Sequence, residues 1–438
     1  MTSRSIRVSC LIFAAAWIAV GCDDSPVVEE PAGLPTGYWA ASITLPGGDI
    51  ETGLEISRDG DDYGASLVNG QERVSIDDVQ FADGELVLRF PAFNNEIRAT
   101  LANGKLAGEL TLVKRFGNTQ VMSFSATPGG EVPSASNPAT NHDLSGRWSV
   151  QFHEPDGTDS ASIGEFAQRG SRLFGTFLNP NGDHRFLAGH VRGDDFHLST
   201  FDGAHAFIFA GTVDDAGEIV NADFWSGTSW HQTWSARRDM SVELPDAFSR
   251  TWLKAGYERF EFEFPDESGT VVSLNDDQYR DKVVMVTIAG TWCPNCNDEA
   301  RYLAPFHKKY RDQGLEIVAL LFEHFDDEAL AADQVRAFRA KHDIEYDTLI
   351  AGLSDKDEAS QKLPSLSAVL AFPTTIFIDR SGRVRKIHTG FTGPGTGEHF
   401  VALQNQFTEL VTTLLAEPAD LIESLAGDEV ASDEDPEQ

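Results

Sequence analysis

One handover in the chain narrows the fold more than any other feature. The apolar run Val283-Val-Met-Val-Thr-Ile288 leads into Thr291-Trp-Cys-Pro-Asn-Cys296, and helical periodicity follows at once. A short run that is wholly apolar and largely β-branched reads as a strand buried on both faces. From Pro294 to Arg311 a helix is expected, with Glu299, Leu303, Phe306 and Tyr310 near one face. The pattern then repeats. Glu316 to Phe322 reads as a second buried strand, and Asp326 to His342 as a helix carrying Leu330, Val335 and Phe338 inward. Thr374–Ile378 and Val384–His388 form a hairpin across Asp379-Arg-Ser-Gly382, and Phe400, Leu403, Phe407, Leu410, Val411 and Leu414 mark a closing helix. Residues 241–417 are therefore expected to be an α/β domain. Residues 418–438 form an acidic tail with the composition of a disordered segment.

The upstream texture is different. Alternating runs such as Glu85-Leu-Val-Leu-Arg-Phe90 and Glu96-Ile-Arg-Ala-Thr-Leu101 are separated by Asp-Gly and Asn-Gly turns at Asp83-Gly84 and Asn103-Gly104. Such alternation with such turns is the pattern of antiparallel hairpins. It occupies residues 37–126 and again 144–238, across a Pro/Gly/Ser-rich linker at 127–143. The segments open alike, with Gly37-Tyr-Trp39 and Gly146-Arg-Trp148, and each has a later glycine, Gly64 and Gly175. This predicts tandem all-β modules of roughly 100 residues, each a sandwich or small barrel. The Gly-x-Trp opening is similar to that of lipocalin-like barrels, although a core Trp on a first strand would look the same.

The N-terminus places Arg4 and Arg7 before an apolar run, Cys10 to Val20, that ends in Ala19-Val-Gly-Cys22. The run is too short to span a membrane comfortably and reads as a secretory signal, residues 1–22. Ala-Val-Gly-Cys resembles a bacterial lipobox, which implies lipidation at Cys22 and a lipid anchor on the periplasmic or extracytoplasmic side of the cell envelope. Residues 23–36 would then be an acidic, Pro-containing tether. Asp23 and Asp24 resemble an inner-membrane retention signal. The chain has 69 acidic and 34 basic residues, a net charge of −35, which opposes binding to nucleic acid.

Only four cysteines occur: Cys10, Cys22, Cys293 and Cys296. Export would remove Cys10 and lipidation would consume Cys22, leaving one Cys-x-x-Cys in an oxidising compartment. At a strand-to-helix turn, Cys293 meets the unpaired N–H groups and positive dipole end of the helix, which favour a thiolate. Pro294 suits the first turn because no N–H is required there. Two intervening residues let Cys296 reach Cys293 for disulfide closure. Cys293 is expected to be the exposed attacking thiolate and Cys296 the buried resolving thiol. Zinc would need further ligands, and no second cysteine pair exists. Histidines gather between His142 and His231, but the spacing of His184, His190, His197 and His205 matches neither a zinc motif nor a shared strand face. No metal and no cofactor beyond a redox-active disulfide Cys293–Cys296 is expected.

The stretch Tyr257 to Ala416 resembles the TlpA/ResA-type members of the thioredoxin-like superfamily. The resemblance is carried by a leading hairpin, Phe262 to Leu274, by Lys282-Val-Val-Met-Val286 and by Trp292-Cys-Pro-Asn-Cys296. Phe372-Pro-Thr-Thr375 and Asp379-Arg-Ser-Gly-Arg-Val384 complete it. It implies a thioredoxin fold and a membrane-tethered thiol–disulfide oxidoreductase. Pro373 would be a cis-proline beside the cysteines, and Phe372 would offer backbone hydrogen bonds to an extended substrate. Trp292 and Pro294 would flank the substrate, and Glu299 would influence thiol protonation. Thr287 stands where thioredoxin has a buried Asp. The resemblance further implies a reductase of exported thiol or disulfide proteins, apocytochrome c among them, supplied by a membrane electron donor. Two alternatives stand beside it. One is a lipoprotein in which the β modules dominate and bind a partner or ligand. The other is a peroxiredoxin-type thiol peroxidase, although Val286 and Gly290 occupy the Pro and Thr positions of that site.

Overall fold

A computed structural model describes residues 33–129, 140–154 and 156–417. The expected signal segment with Cys22, most of the tether, the centre of the 127–143 linker and the acidic tail lie outside the described residues.

Alternation in the first β segment produces nine antiparallel strands, from Gly37–Leu45 to Thr119–Pro128. The first strand pairs with both the second and the ninth, and the ladder runs from Glu72–Ile76 at one edge to Asp78–Ala82 at the other. The result is a curled, open sheet. The last strand continues to Pro128, past the expected end at 126, because Ala126 and Thr127 still pair with Ala41 and Ala40.

The second segment closes. Asp159–Arg169 pairs on one side with Gly146–His153 and on the other with Arg172–Asn179, completing an eight-strand ring with a short extra strand at Gly182–Asp183. Stacked and edge-on aromatic rings, among them Phe177, Phe209, Phe224 and Trp234, fill its interior. The two segments open the same way: Trp39 Nε1 donates to Pro35 O at 3.1 Å and Trp148 Nε1 to Leu144 O at 2.9 Å, both indoles fully buried. His190 and His197 oppose each other on adjacent strands, rings stacked 5.6 Å apart. They do share a sheet face, which linear spacing within one strand did not reveal. The open sheet buries its apolar face partly against the second barrel, through Phe201, Ala206 and Ile208.

The α/β domain has the sheet order Asp347–Leu353, Leu315–Glu323, Val283–Ala289, Thr374–Ile378, Val384–Thr389. The first three run parallel; Thr374–Ile378 is antiparallel to the central strand, and Val384–Thr389 is antiparallel to Thr374–Ile378 in turn. Every residue of Val283–Ala289 is buried. Four helices accompany the sheet: α1 (Pro294–Tyr310), α2 (Glu328–His342), α3 (Lys356–Lys362) and α4 (Glu398–Ala416). In α2 the inward face is Ala331, Ala332, Val335, Phe338 and His342. Leu330, expected to face inward, is exposed, because it lies on the opposite side of the first turn. The leading hairpin pairs Glu263–Pro265 with Val271–Ser273. Among the described residues, no helix is long and apolar enough to cross a membrane.

Helix α4 is locked by Phe407, whose ring packs edge-on against Phe377 at 5.0 Å and His388 at 5.1 Å. Phe407→Ala is expected to lower stability by about 3–5 kcal/mol, read from the urea unfolding midpoint. An unchanged midpoint would show that α4 is not part of the domain's cooperative core.

Candidate functional site

Helix α1 begins where the central strand ends, so its unpaired N-terminal N–H groups emerge at one edge of the sheet. Cys293 occupies the N-cap position, and its Sγ accepts the Cys296 backbone N–H at 3.3 Å. Pro294 is the first helical residue. Both cysteines are free thiols, and the Cys293 Sγ also reaches Phe372 O at 3.4 Å. Phe372-Pro373 is a cis peptide bond, and the contact of Phe372 with Cys293 Sγ brings the loop expected beside the cysteines against them. Trp292 fixes the other side: its indole stacks on His324 at 4.6 Å, meets Phe372 edge-on at 5.8 Å and donates to Phe322 O at 2.8 Å.

Cys293 is not exposed. It is 7% accessible and Cys296 1%. Beyond the Phe372 loop, the two residues between the cysteines are engaged by the second β barrel. Arg185 Nη1 donates to Pro294 O at 3.4 Å, and Asn295 Nδ2 donates to Asp183 O at 3.4 Å. Sequence reasoning treated the domain as free-standing and missed this cover.

Glu299 points into the core one turn after Cys296. Its oxygens accept the hydroxyls of Thr287 and Thr375, and burial pushes it up to about 7 against those hydrogen bonds. Thr287, at the position of the thioredoxin Asp, thus serves as a donor to Glu299. Burial, the neighbouring Cys293 and then the Glu299 charge all raise the Cys296 thiol well above its ordinary value.

A second buried carboxylate was not anticipated. Glu323, at the end of strand Leu315–Glu323, accepts the Thr291 N–H at 3.0 Å and the Thr291 hydroxyl at 2.6 Å, and burial raises it to about 7. Asn297 joins the same shell, donating to Thr291 O at 2.8 Å and Cys293 O at 3.0 Å, with its Oδ1 2.8 Å from His342 Nε2. These contacts fix both shoulders of the Thr291–Cys296 turn. Among the described residues, no cluster of three or more His, Cys, Asp or Glu side chains could hold a metal ion.

A dithiol at a helix N-terminus, with one sulfur facing helix N–H groups and a titratable carboxylate behind the other, is equipped for thiol–disulfide exchange. Comparison with known proteins places it. The AhpC/TSA family model matches residues 255–387. The thiol-disulfide oxidoreductase ResA of Geobacillus thermodenitrificans is 30% identical over 141 residues, covering 32% of this chain and 72% of that protein. ResA of Bacillus thuringiensis subsp. konkukian is 28% identical over 132 residues, covering 30% and 68%. Among solved structures, a putative thiol:disulfide interchange protein DsbE from Chlorobium tepidum aligns with 36% of this chain and 99% of its own, at 24% identity and a TM-score of 0.28. The C-terminal region, a thioredoxin-like oxidoreductase domain, makes this chain a member of the ResA thiol-disulfide oxidoreductase family.

Proposed function

We propose that this chain is a membrane-tethered, extracytoplasmic oxidoreductase that reduces disulfides in exported proteins through Cys293 and Cys296. The observation that supports it most is the pairing of an N-cap cysteine with a deeply buried second cysteine, behind which Glu299 titrates near 7. Cys293, as thiolate, attacks one sulfur of the substrate disulfide, and the other sulfur leaves with the electron pair. Glu299 accepts the Cys296 proton. The Cys296 thiolate then attacks Cys293 Sγ, releasing the second substrate thiolate and leaving a Cys293–Cys296 disulfide. Two electrons have passed to the substrate, and a membrane electron donor returns them. Trp292, Pro294, Phe372 and Pro373 form the face on which an extended substrate would lie, with Phe372 offering main-chain pairing. Apocytochrome c belongs to the substrate class that this reading implies.

A peroxidase reading fits less well. A side chain at position 290 would start 2.3 Å from Trp292 Nε1, so the threonine of a peroxidatic site has no room there. The two similar β openings support an ancestral duplication of the module, and the lipobox-like Ala19–Cys22 supports an anchor at Cys22.

Cys293→Ser is expected to abolish insulin reduction, and an unchanged rate would end the proposal. Cys296→Ser is expected to accumulate a mixed disulfide on Cys293, which would identify the cellular substrate; a failure to trap any thiol protein would count against protein disulfides. Because Glu299 is raised to about 7, its basic form is scarce in acid and predominates in mild alkali. The rate of the resolving step should therefore rise as pH passes through that value. Glu299→Gln should flatten that limb and slow resolution by about 10²-fold at alkaline pH; a profile identical to wild type would remove Glu299 from the mechanism. Cys22→Ala is expected to move the protein from the membrane pellet to the soluble fraction, and retention in the pellet would exclude lipidation at that residue as the anchor.

A further inference from the structure

The loop Asn179–Arg185 of the second barrel lies against the face of the oxidoreductase domain that carries the cysteines. On one side it meets the residues between them. Gly182 (φ +151°) lies so close to Asn295 that a Cβ there would sit 1.9 Å from its Nδ2. On the other side it meets the loop that follows the last strand of the domain. Gly390, whose N–H donates to Pro373 O at 2.9 Å, packs on the Asn181 backbone, and Gly395 packs on that of Arg185. Cβ atoms at either glycine would come within about 3 Å of those main-chain atoms, tighter than van der Waals contact allows. Between them, the Gly393 N–H donates to the Asp183 carboxylate at 2.5 Å.

Arg185 fastens this contact. Its guanidinium is buried and forms ion pairs with Asp298 of α1, with Glu72 of the first β module at 2.6 Å and with Asp202 of its own barrel at 3.2 Å. One side chain thus joins all three parts of the protein beside the cysteine pair. From the oxidoreductase side, Arg250 donates to Pro180 O and, at 3.2 Å, to Asn181 Oδ1.

An extended polypeptide that reached Cys293 while pairing with the cis-proline loop would have to pass across this face. The space is filled by the chain's own loop, closely enough that Gly182, Gly390 and Gly395 leave no room for a side chain, and both Cys293 and Phe372 are buried. We infer that the Asn179–Arg185 loop is an autoinhibitory cap, clasped by Arg185 and Arg250, that withholds the dithiol from protein disulfides until the second barrel swings away. This rests on the thiol-exchange reading of Cys293 and Cys296. It gives the β modules a function: they set when the dithiol is available to large substrates, and small disulfides are little affected.

The test uses the reduced full chain with two probes, 2-hydroxyethyl disulfide and insulin, in wild type, Arg185→Ala and Arg250→Ala. Opening the clasp should raise the insulin rate by about tenfold and change the small-disulfide rate by less than about twofold, since only the bulky probe needs the open population. In parallel, wild-type labelling of the peptide that carries Cys293 and Cys296, with N-ethylmaleimide and with a long polyethylene-glycol maleimide, is compared, native against urea-unfolded. Native protein should discriminate strongly against the long reagent, and unfolded protein should not. Insulin rates unchanged in both variants, or native labelling by the long reagent as fast as in urea relative to N-ethylmaleimide, would overturn the cap. Failure of wild type and variants to reduce either disulfide would instead sink the thiol-exchange reading, and the maleimide comparison would still decide the cap. Arg250→Ala and wild-type labelling carry the test if Arg185→Ala unfolds, because Arg250 is only part-buried.

Discussion

The site depends on what becomes of the backbone donors where the central strand becomes α1. A helix start buried inside a protein leaves N–H groups that water cannot reach, and something must accept them. Here the Cys293 sulfur accepts the Cys296 N–H, while Thr291, one residue before the Trp, is clamped by Glu323 from behind and by Asn297 from in front. The same contacts that satisfy the helix start aim the sulfur at Phe372. Moving any of them would shift the reacting atom relative to the cis-proline loop.

Among the buried carboxylates of the domain, Glu299 and Glu323 are held by threonine hydroxyls and have no basic side chain in hydrogen-bond contact. Burial of a carboxylate without a counter-ion favours the neutral form, and both are raised to about 7. The junction with Arg185 follows the opposite logic. Burial alone would weaken the guanidinium charge, but Asp298, Glu72 and Asp202 outweigh it and hold it protonated. Asp298 and Glu72 are themselves pushed up by burial in spite of that arginine. Burial thus shifts Glu299 and Glu323 toward the neutral form, whereas the interface between domains relies on compensated charge.

Much of this was legible in the sequence because it is local. The strand-to-helix handover, the order of elements from Val283 to Leu414 and the Phe372-Pro373 loop follow from periodicity and short motifs. The helical spacing that put Glu299 beside Leu303 also anticipated its inward direction. Glu323 escaped notice because a carboxylate ending an apolar run reads as the solvent-facing end of a strand. Arg185 escaped notice for a different reason: its partners Glu72 and Asp298 each lie 113 residues away along the chain, on an edge strand and a helix of other domains. Alternation could identify hairpins in both β segments but not which sheet would close, since closure depends on strand tilt and register.

Closure of the second barrel bears on how its loop can move. The strands flanking Asn179–Arg185, Arg172–Asn179 and Leu187–Arg192, are paired to each other and are both members of the ring. A loop anchored in an open sheet edge could peel back by fraying a few hydrogen bonds. In a closed ring that route would rupture the barrel. Under the cap proposal, a tilt of the whole barrel would clear the loop from the cysteines with the ring's pairing intact, a collective motion on the microsecond-to-millisecond scale or slower.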